Sequence, residues 1–332
     1  MSRISLTLAC GDYDRTEALR TGAVRPEGVD LTYLALPPEE IFYRMLRHRE
    51  FDAAELSLSS YALNLSRSAD FMAIPVFPSR TFRHNGIYVN TGAGITEPAD
   101  LVGRRVGVPE YQMTAAVFIR GVLAERHGVP AAAVHYRTGG LHEPGRAEKL
   151  PLPDRVAQLG IEVEPIGPDR TLVGALQAGE IDALYSARMP LPFALGDPSV
   201  QRLFADPRRV EEAYFADTGV FPIMHTVVLR RDVYERRPWL ARSLYKAFEE
   251  ARQRAMRPIG ETNALRYSLP WLYDEVERTR AVMGRDYWPY GVDANDVTLR
   301  TFLRYSHEQG LSDRLWEPKE LFAPETLESF LV

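Results

Sequence analysis

Two hydrophobic rhythms alternate along the chain. The stretches "ISLTLAC" and "VDLTYLAL" have the short apolar runs of strands. Pro37 and Pro38 then open a helix with Ile41, Phe42, Met45 and Leu46 on one face. "FDAAELSLSSY" reads as a short buried strand that runs into a helix start at Ser57 to Ser60. "GIYVN" and "RRVGVP" are further strands, separated by the turn-rich "TGAGITEPADLVG". The next helix places Ala115, Phe118, Ile119, Val122 and Leu123 on a core stripe, and His127–Gly128 closes it. "IEVEPI" and "IDALYS" bracket a helix at 170–178, and "TVVLRR" is a later strand. From "PWLARSLYKAFEEARQRA" onward the pattern is mostly helical.

Strands alternating with helices predict an α/β fold. The order is compatible with two lobes. Lobe one would comprise residues 1–90 and 206–332, and lobe two residues 91–205. Two chain crossings would then form a hinge with a ligand cleft between the lobes, although pattern alone leaves other α/β arrangements open. Residues 138–155, "TGGLHEPGRAEKLPLPDR", are rich in Gly, Pro and charge. They suit a disordered connection, a surface flap or a lid.

Composition narrows the function classes. The chain has 332 residues, 45% of them hydrophobic, enough for a sizeable core. A formal net charge of −5 argues against nucleic-acid binding, which calls for a basic face. Basic charge is almost all arginine, the better bidentate partner for carboxylates. Only Lys149, Lys246 and Lys319 are available for Schiff-base chemistry. Cys10 is the single cysteine, so neither an intramolecular disulfide nor a cysteine-based zinc site is expected. The N-terminal "MSRISLTLACGDYD" lacks the charged-then-apolar pattern of a signal peptide, and no run approaches the roughly 20 apolar residues of a membrane span. The expectation is a soluble, cytoplasmic protein without membrane or nucleic-acid partners.

Several stretches taken together carry a family resemblance: "CGDYDRTEAL", "FDAAELSLSSY", "FPSRTFRHNGIYVN", "GVPEYQMTAAVFIRG", "GGLHEPGRAEK", "GEIDALYSARMP", "FPIMHTVV" and "YWPYG". In this order they resemble the 4,5-dihydroxyphthalate decarboxylase family, from about residue 5 to the C-terminus. The resemblance implies a two-lobed type II periplasmic-binding-protein-like fold. It further implies loss of one carboxylate from an aromatic dicarboxylate, giving a protocatechuate-like product. The fold hosts many ligands, so substrate identity does not follow from it.

Such a reaction needs a cation for the carboxylate that stays, a proton donor near the leaving one, and an acceptor near a phenol. Arg80 and Arg83 precede a strand, while Arg15 and Arg188 follow strands, where ligands of open α/β sheets sit. The helix start at Thr114 offers backbone N–H groups to an anion, with Thr114 as cap or ligand contact. Ser57, Ser59 and Ser60 form a weaker candidate of the same kind. Among seven histidines, His84 and His225 lie near the expected crossings and are the favoured proton donors, with His142 behind them. His48, His127, His135 and His307 read as structural. Asp12, Asp14 and Glu55 are the candidate acceptors. Glu55 ends an apolar strand, where burial would raise its pKa toward that of a base. Tyr13, Tyr111 and the cluster Tyr287, Trp288 and Tyr290 could pack against the ring. No HExxH, paired-His or Asp-rich calcium pattern appears, so no cofactor is expected. A dispersed metal site of His84, His225 and a carboxylate stays open. A non-catalytic solute-binding protein or sensor for a small carboxylate is the competing reading, and a lyase or hydrolase acting on another carboxylated ring is a third. The aromatic "DYWPYG" and the late helices suit a homo-oligomer contact.

Overall fold

The computed structural model describes residues 3–327. Eleven strands appear in chain order: β1 (Ile4–Cys10), β2 (Val29–Ala35), β3 (Ala53–Ser57), β4 (Phe71–Ile74), β5 (Ile87–Asn90), β6 (Arg105–Val108), β7 (His135–Thr138), β8 (Val163–Pro165), β9 (Ala183–Tyr185), β10 (Val200–Arg202) and β11 (His225–Arg230). They form two sheets, one in each of two compact units. Unit one holds the chain as far as Arg80, Phe215–Leu299, and the chain from Trp316 onward; unit two holds Thr81–Tyr214 and Arg300–Leu315.

In unit one the strand order is β2-β1-β3-β11-β4. Strands β1, β2 and β3 run parallel, and β11 returns antiparallel between β3 and β4. All five residues of β3 are buried, which is why its sequence reads as an apolar run with a lone acid, Glu55. Four helices matter for positioning: α1 (Asp14–Arg20), α2 (Pro38–His48), α3 (Leu58–Leu65) and α4 (Thr114–His127). Helix α2 starts with proline in its first turn and buries Ile41, Phe42 and Met45, as the sequence pattern predicts. Among the described residues, no helix is long and apolar enough to cross a membrane.

In unit two the order is β10-β5-β9-β6-β7-β8. Strands β6 to β9 are mutually parallel where they pair, while β5 runs antiparallel to both β9 and β10. That pairing explains where the chain changes unit. The change falls after Arg80 rather than near Asn90, because β5 completes its backbone hydrogen bonds with strands of unit two. The late segment Arg300–Leu315 also belongs here, not with lobe one. Phe302 and Tyr305 pack on Phe118 of α4, and Gln309 accepts a hydrogen bond from the buried Arg120 at 2.8 Å. Helix α4 ends at Gly128, whose φ of +67° is the left-handed conformation that terminates helices and favours glycine.

The charged stretch at 138–155 is strapped down. The Glu110 carboxylate, 2% exposed, accepts from Arg146 Nε at 2.9 Å and also from Lys149 Nζ, while the Glu148 carboxylate accepts from the Tyr111 backbone N–H. Helix Asp154–Gln158 follows directly.

Candidate active site

The register of β3 against β11 builds the centre of unit one. His225 lies opposite Ser57 and Val227 opposite Glu55, so His225 and Glu55 are diagonal neighbours on one face of the sheet. A long side chain spans that diagonal, and His225 Nδ1 comes within 2.5 Å of Glu55 Oε1. The same oxygen accepts from the Tyr13 hydroxyl at 2.9 Å. Oε2 accepts from the Gly11 backbone N–H at 2.8 Å, with the Cys10 thiol 3.5 Å away. Gly11 is needed at this spot, since a Cβ there would sit 2.5 Å from the Tyr13 ring.

Glu55 is fully buried, and burial alone would raise its pKa as the sequence suggests. Yet the pKa is lowered, because the hydrogen bond and charge of His225, the Gly11 N–H and the Tyr13 hydroxyl together outweigh the desolvation. The expected weak acid is therefore an ionised carboxylate. As an acceptor it holds the proton of His225 on Nδ1, which leaves Nε2 without a hydrogen-bond partner among the described residues. The Phe42 ring sets the imidazole edge-on at 4.9 Å. Burial, reinforced by the Glu55 charge, pushes the Tyr13 phenol well up, so it acts as a donor.

Arg15 sits beside this group. Its guanidinium lies 4.2 Å from the Tyr13 ring centre and 4.6 Å from that of Trp288. Nε donates to Pro78 O at 2.5 Å and Nη1 to Asp14 at 2.9 Å, while Nη2 has no partner among the described residues. Asp12 is paired with Arg20. Ser57 caps α3, its hydroxyl accepting from the Ser60 N–H at 3.4 Å, and Ser59 is buried on the same helix.

Arg80 departs from its expected role. It is 7% exposed and donates to the backbone carbonyls of Phe221 at 2.9 Å and Pro289 at 3.3 Å. Desolvation lowers its pKa to about 9. Its guanidinium ties unit-one loops together and is not presented to a ligand. Tyr290 and Trp288 serve the same layer: Tyr290 is packed on Phe77, and Trp288 donates its indole N–H to Phe77 O at 3.0 Å.

The remaining candidates lie in unit two. Tyr111 is fully buried, donates its hydroxyl to Gln309 O at 3.1 Å and stacks beneath Arg120 at 3.8 Å, so its ring is core rather than a substrate wall. Thr114 is the first residue of α4 but not its cap; Met113 holds that position without a side-chain hydrogen bond. Arg188 is exposed after β9. Burial lowers the Arg83 pKa to about 10, and its Nη1 lies 3.4 Å from Ala187 O. His84 is 5% exposed, and burial followed by the nearby His127 lowers its pKa to about 4. That shift favours the neutral imidazole near pH 7, which goes against the proton-donor role expected for it. Its Nδ1 lies 4.0 Å from Glu211 Oε1, beyond hydrogen-bond reach. His142 Nε2 accepts from the Leu191 N–H.

Comparison with known proteins gives a consistent assignment. A 4,5-dihydroxyphthalate decarboxylase from Comamonas testosteroni is 41% identical over 335 residues, covering all of both chains. Another protein of that name, from Pseudomonas putida, is 43% identical over 209 residues, spanning 63% of this chain and 80% of the relative. The chain belongs to the 4,5-dihydroxyphthalate decarboxylase family. No family model matches it. The periplasmic aliphatic sulphonate binding protein SsuA from Escherichia coli superimposes with a TM-score of 0.52 at 13% identity, covering 98% of this chain and 99% of that one. That likeness establishes the type II periplasmic-binding-protein-like fold.

Seen in a decarboxylase family member, the unit-one group is a carboxylate-held imidazole with one open nitrogen, flanked by a phenol and a guanidinium. Such a group can hold and pass a proton at Nε2. Among the described residues, no cluster of three or more His, Cys, Asp or Glu side chains is arranged to hold a metal, and His84 and His225 belong to different units. Two contributors escaped the sequence reading. Tyr33 donates to Gly11 O at 2.7 Å, and Glu211 stands near His84. Neither carries a local signal: Tyr33 is an ordinary strand residue, and Glu211 lies on a helix with many charges.

Proposed function

We propose that this protein removes one carboxylate from a dihydroxylated aromatic dicarboxylate, 4,5-dihydroxyphthalate or a close analogue. The products are carbon dioxide and a protocatechuate-like monocarboxylate. Family membership supports the substrate class, and the Glu55–His225 pair is the single structural observation that carries the chemistry. Each carboxylate of this substrate has a phenol para to it, and electron release from that phenol makes the carboxylate-bearing carbon basic. His225, as the imidazolium, gives the Nε2 proton to that carbon. The bond to the departing carboxylate then breaks, its electrons restore aromaticity, and carbon dioxide leaves. Water reprotonates the imidazole. One proton is consumed per turnover, and no organic electron sink or metal is needed in this scheme.

Glu55 supplies the countercharge and the ring orientation. Tyr13 fixes Glu55 through its hydroxyl, and Arg15 offers Nη2 to the carboxylate that stays. Arg83 and Arg188 are further candidates for holding that anion, with Ser57, Ser59 and Thr114 at helix starts.

Incubation with 4,5-dihydroxyphthalate tests the proposal. Stoichiometric carbon dioxide and 3,4-dihydroxybenzoate are expected. Tight binding without carbon dioxide release would overturn it in favour of a solute-binding protein, and no binding would overturn the substrate assignment.

A further inference from the structure

Unit two contains a cavity of about 590 Å³ that the proposed chemistry does not use. Its walls come from the end of α4, the stretch after β10 and the helix Pro207–Thr218. The volume falls in the range of roughly 300–1,000 Å³ that small-molecule sites occupy.

Two features define what it would accept. The floor is aromatic. The Phe204 ring lies 5.5 Å from His84 and 5.7 Å from His127, and Tyr214 stands 5.2 Å from His84 on the other side. Leu203 and Val210 extend this apolar surface. The rim is cationic, with Arg126 and Arg209. The one acid there, Asp206, accepts from the Arg209 backbone N–H at 3.2 Å and so is engaged at the start of its helix. The Arg209 guanidinium itself has no acidic partner among the described residues.

We infer that this cavity is a binding site for a small aromatic monocarboxylate, its ring against Phe204 and Tyr214 and its carboxylate at Arg209. Apolar walls with a few placed polar groups suit a flat ring, and a guanidinium at the mouth suits a single carboxylate. All the residues involved lie in unit two, whereas Glu55 and His225 lie in unit one. The inference therefore stands or falls independently of the proposed decarboxylation.

Titration calorimetry of the whole chain with benzoate tests it. Saturable binding is expected in the wild type, weakened roughly tenfold or more by Phe204→Ala and by Arg209→Glu, and largely retained in Arg209→Lys. Acetate, which carries the charge without the ring, should bind at least about tenfold more weakly than benzoate. Absence of saturable benzoate binding, equal affinity in all variants, or equal binding of acetate would each overturn the inference. Because the readout is benzoate affinity and not carbon dioxide release, its failure is distinguishable from failure of the decarboxylase reading.

Discussion

In unit one, His225 Nδ1 lies 2.5 Å from a glutamate oxygen; in unit two, His84 Nδ1 lies 4.0 Å from another. The side chains are of the same type and both pairs are largely shielded from water, yet the pKa values of the two carboxylates are shifted in opposite directions. Glu55 collects three hydrogen bonds at 2.9 Å or less, from Gly11, Tyr13 and His225, and stays ionised although buried. Among the described residues, Glu211 accepts one hydrogen bond, from the Asn85 backbone N–H at 3.1 Å, and burial raises its pKa to about 7. Its partner His84 is pushed down to about 4. Proximity of an imidazole to a carboxylate does not make an ion pair. The number of donors solvating the carboxylate decides whether desolvation wins. Unit one thus holds an ionised carboxylate hydrogen-bonded to an imidazole, the group proposed to transfer the proton, and unit two a carboxyl and an imidazole both shifted toward their neutral forms at the edge of a cavity.

The sharpest way to break this contrast is to remove one imidazole at a time. His225→Asn should lower turnover of 4,5-dihydroxyphthalate by on the order of 10³ while substrate still binds, whereas His84→Asn should cost less than about tenfold. Similar losses in both variants, measured as carbon dioxide release, would erase the distinction. Next in size is Glu55→Gln, which keeps the shape but removes the charge that holds the imidazole. A fall of about 10² in kcat is expected, with a much smaller change in KM.

Tyr13→Phe removes one donor to Glu55 and nothing else from the pair. A charge-assisted hydrogen bond of this kind is worth roughly 1.5–3 kcal/mol, so turnover should drop about tenfold or somewhat more. An unchanged rate would show that the donor count at Glu55 does not matter.

The smallest effect concerns stability in unit two. Folded Glu211, at about 7, binds its proton more tightly than in the unfolded chain, at about 4.5. Its contribution is therefore full below the unfolded value and is lost as pH rises through about 7. Glu211→Gln should remove this dependence. From about pH 5 to about pH 8, the wild-type Tm should fall relative to the variant, by on the order of 2 °C. His84 acts at the other end, its contribution being lost as pH falls from about 6.5 through about 4. Parallel Tm profiles for wild type and Glu211→Gln from about pH 5 to about pH 8 would refute the raised pKa of Glu211.

Period and punctuation made much of the fold legible in advance. The runs at β1, β3 and β11, the proline start of α2, and Gly128 at the end of α4 are local signals, because backbone geometry and one-sided burial act over a few residues. The arginine, histidine and glutamate candidates were likewise readable as types. Their roles depended on contacts across long sequence separations. Arg80 is bound to carbonyls at Phe221 and Pro289, and Tyr111 lies under Arg120 against Gln309. Glu55 is held ionised by donors that include His225, brought alongside only when β11 inserts between β3 and β4. Residue type sets which charges and hydrogen bonds are possible. Burial and the count of neighbouring donors set which of them exist, and both arise when distant segments of the chain pack together.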